Sequence, residues 1–370
     1  MRILGIKYIK PGMKIGRAVY RADGRIILGK GVELSANYIE KLPEQGITSL
    51  YIQDDRLTDV EIEDVLSDNM RSLALKNVKE INDDLVDVYT KMKSNNIPPK
   101  LTRERLEKIH DRLNKLGKDI VEDFYRIKSP MVNLLDTRLN EDYIYAHMVN
   151  VAALSVLIGQ GLGYNFNKLV DLVKGCLVHD IGILAGVPEE IRFKKGKLTE
   201  EELNIVKKHP IIAYKFLKQV PEINVLSAHV AYQHHERFSG NGYPRGLSKD
   251  KVNEYGYVAG LADVYDAITN NKVYKLRVLP EKAREFLEVA KDKFFPEYIV
   301  TKFLEKIPAY PIGTSVVLLN GMEGVVIKQN FDNFSRPVVR VLNDGTKELS
   351  DTFDIDLNKK RSIKIKKILD

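Results

Sequence analysis

The segment LVDLVKGCLVHDIG, residues 169–182, decides the fold. Its apolar run is helical and reaches Gly182, where a helix would stop, so His179 and Asp180 can leave the packed face and meet a site. Adjacent residues on a regular helix diverge by about 100°, an arrangement in which His179 binds one ion while Asp180 bridges two. Cys176, in the same run, is the single cysteine of the chain. It excludes an internal disulfide, suits a reducing compartment and reads as a small buried apolar residue.

Outward from this pair, five of the seven histidines stand in one order with two aspartates: His147, His179 with Asp180, His209, His234 with His235, then Asp263. His147 follows a helix start, with Asn140 as the cap and Glu141 and Asp142 in the first turn. It shares a face with Tyr143 and Val151, hence points inward. Thr199 and Glu202 make a capping box for the helix carrying His209, which precedes Pro210. His234 and His235 lead into ERFSGNGYP (residues 236–244), whose glycines break the helix. Two neighbouring histidines converge on one metal only where the backbone leaves helical geometry.

Asp263 lies in the apolar helix GYVAGLADVYDAITNN (residues 256–271), where a buried carboxylate requires a metal or a cationic partner. Asp266, one turn later, either orients a ligand histidine from behind or caps local backbone. The remaining two histidines read as structural: His110 sits in a charged helix, and His229 does not share a face with His234. Imidazoles with a bridging carboxylate suit a pair of borderline transition-metal ions, and two close metals are a common means of hydrolysing a phosphodiester. The chain therefore reads first as a metallophosphohydrolase.

The expected fold class is multidomain: a mainly α-helical catalytic domain that bears the histidines, a small α+β N-terminal domain and a small β C-terminal appendage. Residues 1–55 alternate in short strands divided by Pro11-Gly12 and Asp23-Gly24, with one helix over Ser35 to Leu42. Residues 56–127, from Thr58 onward, turn charged and helical, interrupted by SNNIPPK. They read as a signal-carrying connector or as a helical lead-in packed on the next domain. Residues 128–308 bear the histidines and read as almost entirely helical. Residues 309–370 switch to period two around the hairpin signal Asn320-Gly321, and the lysines of KKRSIKIKK read as a solvated strand face.

At 370 residues the chain can bury a large core without staples. Met1 to Ile9 alternates as a strand and lacks the apolar core of a secretion signal. Val151 to Gly163 is about half the roughly 20 residues a membrane span needs, so a cytoplasmic protein without a span is expected. A net charge of +7 could suit an anionic ligand, but the lysines are scattered over many segments and read first as solvated surface. With no Trp and no repeated basic-aromatic platform, polymeric nucleic acid is not the expected partner.

HDIG, KKHP, HHERFSGNGYP and ADVYDAITNN, in that order over about residues 130–308, together resemble the HD-GYP family of cyclic di-GMP phosphodiesterases. The resemblance implies that His147, His179, Asp180 and Asp263 hold one metal, with Asp180 bridging to a second held by His209, His234 and His235. It implies two divalent ions, iron or manganese, and a hydroxide bridging them that attacks phosphorus in line. Cyclic di-GMP would open to pGpG and, in some members, go on to GMP.

His179 and Asp180 are the catalytic pair under this reading. Gly242 and Tyr243 of the GYP motif, with Lys272 and Lys275, are the candidate substrate contacts. Three positions depart from the family pattern. Tyr143 stands where trinuclear members have a glutamate, Ile183 replaces the lysine of HDIGK, and Lys272 with Lys275 stands in for an arginine, keeping charge but losing a two-pronged grip on phosphate. LGIKYIKPGMKIG and ITSLYIQDD also resemble an accessory domain that often precedes such phosphodiesterases.

Two other readings stay open. One is a catalytically weak sensor or adaptor that binds the nucleotide or a diguanylate cyclase partner through the GYP region, a reading Ile183 supports. The other is a hydrolase of a different cyclic dinucleotide or a linear nucleotide. The charged helices are compatible with a homodimer.

Overall fold

Alternating apolar residues and tight turns build the N-terminal region. In the computed structural model, which describes residues 1–20, 26–45, 47–62, 64–127, 143–194, 196–221, 223–269 and 278–369, it begins with β1 (Arg2–Gly5). Then come β2 (Val19–Tyr20), β3 (Ile26–Leu28), α1 (Ala36–Lys41) and β4 (Ser49–Ile52). β1 pairs antiparallel with β4, Arg2 opposite Ile52, and β2 pairs with β3. The helix expected over Ser35 to Leu42 is α1, and Ser35 caps it by accepting from the Tyr38 amide. Leu4, Ile15, Leu34, Leu50 and Ile52 fill the small core.

Two long helices follow, α2 (Asp68–Lys93) and α3 (Pro99–Arg126). The predicted helical stretch starts ten residues late, because the described residues between Thr58 and Ser67 form no α-helix and Ser67 caps α2. Pro99 opens α3, where a missing amide costs nothing, and Asn95 takes a left-handed φ of 54° in the turn between them. Val78, Ile81 and Leu85 of α2 and Leu113 and Ile120 of α3 belong to the same core as the histidine-bearing helices. These helices therefore pack as a lead-in on the bundle that follows.

That bundle begins with α4 (Tyr143–Gly161), in which every residue from Tyr145 to Gly159 is buried. An all-round apolar helix is what a fully enclosed position requires. At 19 residues it is longer than the apolar stretch read from the sequence and is apolar enough to cross a membrane by length and composition, yet 83% of its apolar window is enclosed by the protein. The order continues with α5 (Phe166–Cys176), α6 (Ile181–Gly186), α7 (Glu189–Arg192), α8 (Glu200–Val206), α9 (His209–Leu217) and α10 (Val225–Gln233). It closes with α11 (Glu254–Thr269), α12 (Pro280–Ala290) and α13 (Glu297–Leu304).

Two local expectations are corrected. The helix before His179 ends at Cys176, and Gly182 lies inside the next helix, α6. The Thr199–Glu202 capping box is present but caps α8, and His209 opens the separate helix α9. Asn140, Glu141 and Asp142 lie outside the described residues.

The C-terminal strands are β5 (Ser315–Leu318), β6 (Glu323–Lys328), β7 (Val338–Asn343), β8 (Glu348–Asp356) and β9 (Ile365–Ile368), in the antiparallel order β8-β7-β6-β5-β9. Gly321, with φ of 87°, makes the β5–β6 turn that Asn320-Gly321 announces. Lys359, Lys360, Lys364, Lys366 and Lys367 are exposed, a solvated face. Val317 and Leu369 enter the core of the N-terminal module, so the two ends of the chain pack together.

Candidate metal centre

Three ligand-type histidines on the bundle are fixed by where a helix ends. His179 follows α5, His209 follows α8, and His234 is the C-cap of α10. Each Nδ1 lies against a main-chain carbonyl of that last turn: His179 on Cys176 O at 2.7 Å, His209 on Val206 O at 2.8 Å, His234 on Ala231 O at 3.1 Å. A carbonyl only accepts, so Nδ1 carries the proton and each Nε2 presents a lone pair. His147 on α4 is held the same way by a side chain, its Nδ1 2.6 Å from Asp266 Oδ2.

These lone pairs converge on Asp180. Its Oδ1 lies 3.2 Å from His209 Nε2 and 3.7 Å from His234 Nε2. Its Oδ2 lies 3.5 Å from His179 Nε2 and 3.9 Å from His147 Nε2. Each oxygen thus faces its own pair of imidazoles. Asp263 also spans the site, with Oδ1 3.0 Å from His147 Nε2 and Oδ2 3.7 Å from His235 Nδ1.

Two sets of donor atoms result, each within a 4.8 Å spread: Asp180, His209, His234 and His235, and His147, His179 and Asp263. Among the described residues, His179 Nε2 and Asp180 Oδ1 are buried without a hydrogen-bond partner, and His209 Nε2 faces His234 Nε2 at 3.3 Å. Two imidazole lone pairs set against each other are repulsive until a cation lies between them. The donor set therefore fits divalent metal.

Electrostatics point the same way. Burial opposes charge on Asp180, but His179, His209 and His234 outweigh it and hold the carboxyl well below its usual range. Burial likewise resists charge on Asp263, which His147 and His235 overcome, keeping it ionised. Burial, then the neighbouring imidazoles His235 and His179, holds His234 neutral, and burial pushes His235 down to about 3. His147 differs: burial acts against its charge, yet hydrogen bonds to Asp263 and Asp266 lift it to about 10. A proton there occupies the position a cation would take.

The GYP loop closes one side. Tyr243 stacks on His235 with ring centroids 4.5 Å apart, and burial followed by Asp180 and Asp263 raises its phenol, so the hydroxyl keeps its proton. Buried Glu236 accepts from the amides of Arg245 at 2.9 Å and Leu247 at 2.8 Å, pinning the loop. Gly242 packs on backbone, since a Cβ there would stand 2.5 Å from His235 O. Gly182 and Gly260 repeat this, at 2.1 Å from His209 O and 2.3 Å from His234 O.

All seven sequence-predicted ligand residues thus come together, and Asp266 stands behind His147. Lys272 and Lys275 lie outside the described residues. His110 on α3 and His229, between Tyr214 and Tyr232, lie apart from the donor sets. Half-buried Ile183 brings no charge to the site. Sequence reading missed Glu236, whose signal was a carboxylate directly beside two candidate ligands, and Asn150, which donates to Asp266 Oδ1 at 2.7 Å. Asn150 follows His147 by three positions on α4, so the same helix face announced it. Burial pushes the Cys176 thiol up to about 12 against a weaker pull from Ser155, which keeps it unreactive at neutral pH.

Residues 120–295 match the family described as HD domain, and residues 315–370 match a KOW domain associated with HD domain. The chain carries an HD domain. The resemblance read from its four motifs agrees with its relatives. It is 30% identical over 223 residues to a cyclic di-GMP phosphodiesterase of Pseudomonas aeruginosa, covering 60% of this chain and 53% of that one. It is 31% identical over 207 residues to a cyclic di-GMP phosphodiesterase of Borreliella burgdorferi, covering 55% and 54%. A 3′3′-cGAMP-specific phosphodiesterase of Vibrio cholerae is 35% identical over 161 residues, covering 44% and 36%. The chain thus spans about half the length, or less, of these curated relatives.

Proposed function

We propose that this HD-domain chain is a metal-dependent phosphodiesterase that opens cyclic di-GMP to pGpG, with GMP as a further product. The observation that supports the reading most is the tautomer pattern: four imidazoles spend their Nδ1 positions on carbonyls or on Asp266, and their Nε2 atoms surround one buried carboxylate. Such a set calls for divalent transition ions, of which iron and manganese best suit a mixed imidazole and carboxylate shell.

His147, His179, Asp180 and Asp263 would hold one ion, and Asp180, His209, His234 and His235 the other. When bound, the ions would activate water and offset charge building on the phosphoryl oxygens. The chain's own residues do the rest. Asp180, one oxygen turned to each half, fixes the spacing between the two. Asp266 keeps the proton on His147 Nδ1, and Tyr243, protonated and beside His235, can donate to a phosphate oxygen. Lys272 and Lys275 keep their assignment as phosphate contacts, and Gly242 serves by letting the loop approach His235.

A different cyclic dinucleotide is the second reading, supported by the 35% identity to a relative named as specific for 3′3′-cGAMP. We further assign the protein to the reducing cytoplasm, the GYP loop to contact with a diguanylate cyclase domain, and the outer faces of α2 and α3 to self-association.

Anaerobically purified protein, assayed for bound metal and for products from cyclic di-GMP and 3′3′-cGAMP beside a His179→Ala, Asp180→Ala variant, tests the proposal. Two ions per chain and pGpG formation lost in the variant are expected. Metal-loaded protein that binds cyclic di-GMP without opening it would favour a sensor, and opening of cGAMP alone would favour the second reading.

A further inference from the structure

Asp266, which holds His147, is itself held from behind, and the chain of contacts does not stop there. Asn150 donates to Asp266 Oδ1 at 2.7 Å, and its own carbonyl accepts from one guanidinium nitrogen of Arg71 at 2.8 Å. A carboxylate cannot donate and a guanidinium cannot accept, so these two partners leave the Asn150 amide one orientation. The other terminal nitrogen of Arg71 donates to Asp64 Oδ2 at 2.9 Å. That same oxygen lies 3.8 Å from Arg17, whose Nε donates to Asp68 Oδ1 at 2.6 Å in the first turn of α2.

The path His147–Asp266–Asn150–Arg71–Asp64–Arg17 thus runs from the bundle, through α2, to the N-terminal module. Its inner links are dry: Asp266 is 0% exposed, Asn150 1% and Asp64 6%. In such surroundings each link is directional, and a missing partner leaves a buried polar group that must turn elsewhere.

We propose that Asn150 and Arg71 are positioning residues for the His147 half of the metal centre, and that Asp64 and Arg17 make the seating of the N-terminal module set the affinity for one of the two ions. The proposal rests on the metal-binding reading above. Asp266 bonded at both oxygens cannot swing, so the His147 ring stays aimed with Nε2 toward Asp263 and Asp180. Without the Asn150 amide at Oδ1 that hold is loosened, and a turn about the Asp266 side-chain axis takes the ring with it. Asn150 carries no titratable proton, so what it passes on is orientation. Partners standing behind a metal-binding histidine typically change metal affinity by about 10–100-fold.

The probe is Mn²⁺ alone, in chelator-competition equilibrium dialysis of the full chain, with thermal unfolding of the ion-free protein alongside. Asn150→Ala is expected to weaken one of two Mn²⁺ ions by about 10–100-fold and leave the other unchanged. Arg71→Leu weakens the same ion by less. The double variant is no worse than Asn150→Ala alone, as links in series require. Arg71→Lys recovers only part, because one ammonium cannot serve both Asn150 and Asp64 as the forked guanidinium does.

Arg17→Gln, whose side chain lies in the N-terminal module, weakens that same ion least, and carries the test if Asn150→Ala does not fold. Both ions weakening together in step with the unfolding temperature, or neither weakening, overturns the proposal. Wild-type protein that takes up no Mn²⁺ overturns the metal-centre reading as well, before any variant is compared.

Discussion

Replacing Gly182 with alanine tests how tightly the centre is built. A Cβ there would stand 2.1 Å from His209 O, 2.9 Å from His209 C and 3.0 Å from Ala213 N, all main-chain atoms of α9. Ordinary contact begins at 3.4 Å, so α6 and α9 must part by about 1.3 Å at that point. Backbone in a packed helix cannot fold aside as a side-chain tip can. Overpacking of this kind costs about 1–3 kcal/mol, and a displacement of about 1 Å exceeds the roughly 0.5 Å within which a site must hold its ligands. Gly182→Ala should therefore unfold several degrees earlier without ions and lose about tenfold or more in Mn²⁺ affinity on the His209 side.

Gly186→Ala is the control, in the same helix facing the same neighbour. Its nearest contact is the tip of Ile212, at Cδ1, a flexible atom that can move away, so it should bind metal as wild type does. Calorimetry and chelator-competition dialysis read both variants. Wild-type Mn²⁺ affinity in Gly182→Ala would refute the claim that main-chain contact positions His209.

Metal uptake on the His147 side must displace a proton held to about pH 10, so affinity for the ion on that side should rise about tenfold per pH unit from 6.5 to 8.5. Titration calorimetry in buffers of different ionisation enthalpy checks this by the protons released. Without metal the sign reverses: stabilisation from His147 is full below its ordinary 6.5 and is lost as pH rises through about 10. Removal of ions with a chelator should lower the unfolding temperature, and readdition at one hundred times the dissociation constant should restore about 2.7 kcal/mol, visible in thermal scans. Leu154→Ala, at a fully buried α4 position, should cost about 2–5 kcal/mol by denaturant titration while leaving metal stoichiometry at its wild-type value.

The seven donor residues were legible because ligand chemistry restricts residue type and because short motifs bracket each one. The hairpin at Asn320-Gly321 was legible for a similar reason: a two-residue turn dictates local backbone. The end of α5 was not. Leu177 and Val178 continue the apolar run past Cys176, and hydrophobic spacing carries no mark where the chain turns within a buried segment. Gly182 read as a helix stop because glycine has two uses, and only the neighbouring helix shows that close approach is the one that applies. Arg71 and Asp64 were invisible for another reason. They lie more than 75 positions before the residues they serve, and the charged stretch around them has the composition of an ordinary solvated helix.

The carbonyls that anchor His179, His209 and His234 lie in the last turns of α5, α8 and α10, the negative ends of three helix macrodipoles, and the imidazoles they hold face one ionised aspartate. Such a convergence invites cations and turns anions away. A nucleotide phosphate approaching the empty centre would meet an adverse field, and the same phosphate approaching the loaded centre would meet two charges of opposite sign to its own. Occupancy is therefore ordered by electrostatics: metal enters first, and under the proposed function depletion of metal in the cell would silence nucleotide capture and turnover together.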